Sequence, residues 1–448
     1  MIRIILLSWS FIPLAVVASE PLPLGSDYWK DPAFLKSFNG SYRIEARIEP
    51  AVSTQERGLL VEVQALMGKG QRANALAKLE GSSLSKNSAA LAFNIGNLHF
   101  EEGDDGKATA AYQKAIDLYP AFRRALRNLA MSLVRQGEME KALDPLLEAI
   151  RLGDSGGSTF GLLGYCRIHR EEWASALQAY RLAQLTEPEV LEWKAGIAQC
   201  LQQTGGQEEA LALLEEVIRQ RPRVSSYAVL QATILLDLGR SEEAVKALDL
   251  PRRLGTLGQA GMLLLADLHL RSGRRASAHA RVDEALAQGG KAATTSLVSL
   301  TYLALSLEEW KLAGKLVEAI KANEQEDKIL QRRLEGHFLI LSGEDRGQGV
   351  TILRNLLNDV PDDGKTLLIL GRHLVAEKEL EEAELLFERS TAVKSVAAEG
   401  WLELSSLRVE MQDYPGALRA LDESLALQSS KSLLEYRTSL QSLVEAAQ

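Results

Sequence analysis

The chain has 448 residues, 46% of them apolar and 25% charged, with 12 Pro, two Cys and a formal charge of −9. That length exceeds what one hydrophobic core supports, so the chain either divides into domains or stacks repeats, and its wealth of Ala, Leu and Glu points to an all-α protein. The acidic balance argues against attraction to phosphate backbones or anionic lipid, so no nucleic-acid partner is expected, and two cysteines cannot make a disulfide framework.

The first residues read Met1-Ile2-Arg3, then an apolar run from Ile4 to Val17, then Val16-Val17-Ala18-Ser19 with small residues where a signal peptidase reads. Residues 1–18 are therefore read as a signal peptide. The protein is expected to be exported, with the periplasm as its destination and secretion or a retained N-terminal anchor as alternatives. The run holds 14 residues including Pro13, short of the roughly 20 a membrane helix needs, and no later stretch is continuously apolar for that length, so the mature chain should carry no integral membrane segment. No Cys follows the run, which argues against a lipoprotein anchor. Loss of Arg3, the sole charged residue among the first 18, takes the charge from −9 to −10.

Residues 19–55 carry Pro21, Pro23, Gly25, Pro32, Gly40 and Pro50, which leave no room for a long helix. Tyr42 to Ile48 alternates like a short strand. With Tyr28, Trp29, Phe34, Phe38 and Tyr42 the segment is too aromatic for a disordered linker and reads as an extension docked on the first repeats, which begin near residue 56. A loose spacer is the alternative.

From residue 56 to 431 the sequence repeats itself. Ala108, Ala142, Ala176, Ala210, Ala244 and Ala278 succeed one another at intervals of 34 residues, and Gly103, Gly137, Gly205, Gly239 and Gly273 keep the same period five residues earlier, with Glu171 filling the gap. The phase slips by one residue to Ala313 and again before Gly349, and Ala383 and Ala417 resume the 34-residue step. Within the period, Ala92, Ile95-Gly96, His99, Ala108, Tyr112, Ala115 and Pro120 recur as Phe160, Leu163-Gly164, Ala176, Tyr180, Ala183 and Pro188, and later as Leu367, Leu370-Gly371, Leu374, Ala383 and Phe387.

These residues resemble the tetratricopeptide repeat, W-x2-L-G-x2-Y, then A-x3-F, then P, over most of the chain. The resemblance, to the exported bacterial type, implies a right-handed α-solenoid of eleven helix pairs, the first marked by Leu66, Gly70 and Ala75. A small residue on the first helix is expected to face a small residue on the second, and the ladder Gly to end the first helix with a positive φ. Ser405 and His337 at the small-residue site, and Thr301 in the repeat of Trp310, depart from the pattern, so those repeats are expected to pack less closely. Residues 432–448 read as a capping helix whose Leu433, Leu434, Tyr436, Leu440 and Val444 cover the last apolar face.

No chemistry is visible. The six His are scattered without the i, i+4 spacing of a zinc helix, and no nucleophile elbow, phosphate loop or cysteine with a base occurs, so no enzyme activity, metal or cofactor is expected. Function should then lie on the concave surface, which the resemblance places at first-helix positions 2, 5, 9, 12 and 13. These are Phe93, Asn97 and Phe100, then Arg124, Arg127, Met131, Val134 and Arg135, then Tyr165, Ile168 and His169. Phe93, Asn97, Phe100, Arg124, Arg127, Met131, Arg135, Tyr165 and His169 are the candidate peptide-binding residues. Their chemistry suits a protein partner offering an acidic or C-terminal peptide segment, or a helix; the alternative is that the arginines are ordinary solvated charges. Further along, Val229, Leu236, Leu263, Leu270, Val298, Tyr302, Leu305, Leu334, Phe338 and Leu341 make the same positions apolar, as a channel for a partner helix. The expected function is a scaffold binding a partner in the cell envelope. A permanent architectural subunit of an envelope assembly or transport complex is the alternative.

Overall fold

The helices begin where the sequence supplies caps. Ser53 and Glu56 form a reciprocal capping box that opens the first repeat, Glu56 Oε2 accepting from the Ser53 amide at 2.7 Å, and Ser88, Asp104, Asp345, Asp363 and Asp413 each accept an amide hydrogen bond at later helix starts. The computed structural model describes residues 21, 22, 24, 26–30, 34, 49–288, 294–323 and 327–447, and no strand occurs among them. The expected signal peptide and the expected strand at 42–48 lie outside the described residues.

A short helix α1 (Ser26–Lys30) precedes helix pairs joined by tight turns. In one unit, which holds the described residues through Leu257, the pairs are α2 (Thr54–Gly68) with α3 (Arg72–Glu80), α4 (Ala89–Glu102) with α5 (Asp105–Leu118), and α6 (Arg123–Arg135) with α7 (Met139–Arg151). They continue as α8 (Gly157–His169) with α9 (Trp173–Thr186), α10 (Leu191–Thr204) with α11 (Gln207–Gln220), and α12 (Ser225–Asp237) with α13 (Ser241–Arg253). A second unit starts at Gly258 with α14 (Gln259–Arg271) and α15 (Arg275–Ala287), then α16 (Thr294–Ser306) with α17 (Trp310–Lys321) and α18 (Lys328–Ser342) with α19 (Arg346–Asp359). It ends with α20 (Gly364–Ala376) and α21 (Leu380–Thr391), α22 (Ala397–Glu410) and α23 (Tyr414–Leu427), and the lone α24 (Lys431–Ala447). Each unit is an all-α solenoid of stacked pairs.

Each turn within a pair contains one residue in the left-handed region: Gly70, Gly103, Gly137, Glu171, Gly205, Gly239, Gly273, Glu308, Gly343, Lys378 and Gln412. Glu171, the gap between Gly137 and Gly205, adopts φ 58° all the same, as Glu308, Lys378 and Gln412 do at 57°, 68° and 63°. The turn geometry is thus imposed by the pair, and glycine is only its least strained occupant.

The packing of the pairs corrects one expectation. In three pairs the nearest neighbour of the small first-helix residue is not another small residue but a ring of the second helix: a Cβ added at Gly96 would stand 2.6 Å from Tyr112, at Gly164 2.8 Å from Tyr180, and at Gly371 2.5 Å from Phe387. Without a Cβ, the backbone of the first helix lies against a flat aromatic face. Where the pattern is broken the site is not left loose. Ser405 donates to the Ala417 carbonyl at 2.8 Å, Thr301 to the Leu297 carbonyl at 2.7 Å, and the His337 ring bonds Thr366 Oγ1 at 2.9 Å, all with these side chains buried. In α24, Leu440 and Val444 are buried while Leu433 and Tyr436 pack at the edge of the last core; Leu434, one residue out of that register, is instead half exposed.

Candidate functional site

In the first unit, the predicted positions on α4, α6 and α8 are polar and aromatic, with Phe93, Phe100, Met131 and Tyr165 buried. Asn97 Oδ1 accepts from Tyr112 Oη and from Asn128 Nδ2, both at 2.9 Å, which fixes the amide and leaves its NH2 as donor. Burial lifts the Tyr112 phenol well above its ordinary range, so it stays a donor. Asn128 itself is fully buried, as is Met131, and both serve packing. Phe93 is buried against Phe122, ring centroids 4.9 Å apart.

The arginines are partnered rather than solvated. Arg124 lies over the Phe93 ring at 5.2 Å and binds Glu49 through both carboxylate oxygens, its Nε 2.6 Å from Oε1. Arg127 Nη1 is 3.9 Å from Asp154, whose other oxygen holds the Gly156 amide. Arg135 stacks on Phe100 at 4.1 Å, donates to the Phe100 carbonyl at 3.1 Å and pairs with Asp105 at 3.2 Å. Burial raises the Asp105 carboxyl above its usual value, against the pull of Arg135. On α8, Tyr165 is buried and meets the exposed His169 edge-on at 4.9 Å.

The same surface carries part of the N-terminal segment. The Leu22 amide donates to Gln199 Oε1 at 3.0 Å, and Tyr28 packs edge-on against Trp193 at 5.3 Å and tilted against Phe34 at 4.9 Å. Trp29 reaches Phe100 at 6.4 Å, and Arg135 lies 6.0 Å from its ring. Tyr28, Phe34 and Glu49 are all buried. A small cleft beside Leu22 and Leu24 is lined by Tyr180, Glu192, Gln199 and Tyr227.

Trp193, Glu192 and Gln199 are functional candidates that sequence reasoning missed. Glu192 and Gln199 occupy positions 2 and 9 of α10, the same positions that single out Arg124 and Asn97, so spacing alone could have found them. Glu49 lies outside the repeats and has no spacing signal.

In the second unit the expected apolar channel is mostly core. Leu270, Leu305 and Leu334 are at most 2% exposed, and Tyr302 and Phe338 are also buried, while Val298 and Leu341 are only half-buried. Leu263 is buried there too, and in the first unit Val229 and Leu236 are half-buried. Stacking consumes these side chains, leaving too little greasy surface for a helix-binding channel.

Cys166 and Cys200, equivalent positions 34 residues apart on α8 and α10, are unbridged and buried, and burial pushes both thiols up to about 12. Among the described residues no helix is long and apolar enough to cross a membrane, and no group of His, Cys, Asp or Glu is placed to hold a metal ion.

Comparison with known proteins agrees with this architecture. The family described as tetratricopeptide repeat matches residues 60–121, 93–157 and 197–251. No curated protein sequence matches the chain at a significant level. Among solved structures, the chain is similar to YrrB, a tetratricopeptide repeat protein with an unusual peptide-binding site, at 24% identity over 37% of this chain and 86% of that one, TM-score 0.35. It is also similar to a tetratricopeptide repeat protein from Parabacteroides merdae, at 15% identity over 62% and 97% of the two chains, TM-score 0.37, and to yeast Tom70, at 14% identity over 87% and 95%, TM-score 0.42. The family match falls on α2 to α7 and on α10 to α13, so these pairs are tetratricopeptide repeats, and helix pairs with the same left-handed turns make up the rest of both units.

Proposed function

We propose that the chain is a non-enzymatic scaffold of the cell envelope that binds an extended peptide of a partner protein along the first helices of its early repeats. Tetratricopeptide repeats form a non-catalytic, protein-interaction fold; the site and the partner chemistry are the proposal. The observation that carries it is the row of forked donors on successive first helices, Asn97 on α4 and Arg124, Arg127 and Arg135 on α6, each oriented by a neighbouring acceptor or ring. Preoriented guanidinium and amide donors suit carboxylates and peptide carbonyls and lose little side-chain freedom on binding. Export rests on the apolar run from Ile4 to Val17 and the small residues up to Ser19.

The test is isolation of the full chain with its partner from the envelope, followed by hydrogen exchange of that complex and of the chain alone. Partner-dependent protection is expected in 89–102, 123–135 and 157–169. Protection confined to the second helices of the pairs would contradict the proposed surface. N-terminal sequencing of the purified protein should begin at Ser19, and an intact Met1 would overturn the cleaved signal peptide in favour of a retained anchor.

A further inference from the structure

The N-terminal segment meets the early repeats with the contact chemistry of a bound peptide. Its fixed points are spread over three first helices: Glu49 on Arg124 of α6, Trp29 on Arg135 of α6 and Phe100 of α4, and Tyr28 and the Leu22 amide on Trp193 and Gln199 of α10. Every one of those contacts is made by a side chain of the repeats to a backbone amide, a carboxylate or an aromatic ring of the segment, the three features by which an extended peptide is read. The helix α1, five residues long, is too short to serve as a helix of a repeat.

We infer that the segment carrying Leu22, Tyr28, Trp29 and Glu49 is a tethered ligand of the first-helix face, and that the partner taken up there is a peptide of the same chemistry, with adjacent aromatic side chains and a carboxylate. This deepens the proposed function of that face and rests on it. Only a few residues separate Glu49 from the first helix at Thr54, so the segment acts at an effective concentration of about a millimolar, and the partner must compete with it. A site that its own segment fills about 99% of the time binds an outside peptide about 100-fold more weakly than the open site would.

The test cuts the tether without altering the face or the segment. A protease site is inserted between Ala51 and Val52, both outside any helix, and a fluorescein-labelled synthetic peptide with the sequence of residues 20–50 is titrated into the full chain before and after cleavage, at submicromolar protein. Binding should tighten at least about tenfold on cleavage, the severed segment should leave on gel filtration, and a peptide with Trp29→Ala and Glu49→Gln should lose the gain. The full chain carrying Trp29→Ala and Glu49→Gln, with helicity checked by circular dichroism, should bind the labelled wild-type peptide tighter without cleavage. If the cut segment stays bound and neither protein takes up the peptide, the segment is a fixed part of the first unit and the inference falls. In that event, partner-dependent protection of 89–102 and 123–135 would still uphold the wider reading, whereas protection elsewhere would remove both.

Discussion

The left-handed turns offer a quantitative test of how the repeats are built. In the second unit three of them are closed by residues with a Cβ: Glu308 at φ 57°, Lys378 at 68° and Gln412 at 63°. Each bears about 1 kcal/mol of steric cost in that region. Glycine removes that cost and adds about 0.5 kcal/mol of lost chain entropy, so each change to Gly should stabilise by about 0.5 kcal/mol. Glu308→Gly, Lys378→Gly and Gln412→Gly together should therefore gain about 1.5 kcal/mol, which for a unit of this size raises the melting midpoint by roughly 3–6 °C. Lys378 also leaves an exposed ion pair with Glu410, which contributes little. The triple change to Ala, which makes the same side-chain truncations but keeps Cβ, should gain almost nothing. Conversely, Gly343→Ala, at φ 77° with no neighbour closer than 3.6 Å to the new methyl, should lose about 0.5 kcal/mol, the same balance of strain and chain entropy in reverse. Thermal melts of the four proteins decide it: if the Gly and Ala triples melt together, the turns do not hold the backbone in that region.

Other expectations come from the same packing. Burial holds the His337 imidazole at about 3, well below its ordinary 6.5, so the unfolded chain takes up the proton first; stability is full above pH 6.5 and falls as pH drops toward 3, by about 2 kcal/mol between 6.5 and 5. His337→Gln should remove that part of the loss in urea titrations at pH 7 and 5, and an unchanged difference would show that the ring is not buried neutral. Gly371→Ala, which drives a methyl to 2.5 Å from Phe387, should cost about 1–3 kcal/mol, whereas Gly58→Ala, with nothing within 4 Å, should stabilise; equal effects would refute the ring-on-glycine contact. Cys166 and Cys200 should ignore a thiol reagent in the native protein and titrate as two thiols after denaturation without reductant, while a count of none would mean that the register of α8 and α10 is wrong.

The frame of the molecule is legible in the sequence because two residue types repeat in phase, a glycine ending seven of the eleven first helices and a small residue sitting between helices. Even Glu171 is readable as a turn, since the ladder marks its place regardless of its side chain. The partner of the small site is not readable: Gly164 announces close approach without saying that Tyr180 is what approaches. On the candidate surface, spacing locates Arg124 and Arg135 but not what holds them. Glu49 lies 75 residues from Arg124 and outside the period, and Asp105 is one more acidic residue at a helix start until the fold brings Arg135 against it. The apolar positions from Leu263 to Leu341 mislead because a buried stacking face and an exposed greasy groove have the same sequence pattern.

Binding of partners on the first-helix face of the early repeats is read out by placing a photo-crosslinking amino acid singly at Asn97, His169, Gln113 or Leu185 of the full chain in its native cells. Asn97 and His169 stand on the first-helix face, while Gln113 and Leu185 are exposed on the second helices α5 and α9. One discrete adduct of the same partner is predicted from Asn97 and His169 and none from Gln113 or Leu185; an adduct formed only from the second-helix positions would place the partner on the opposite face.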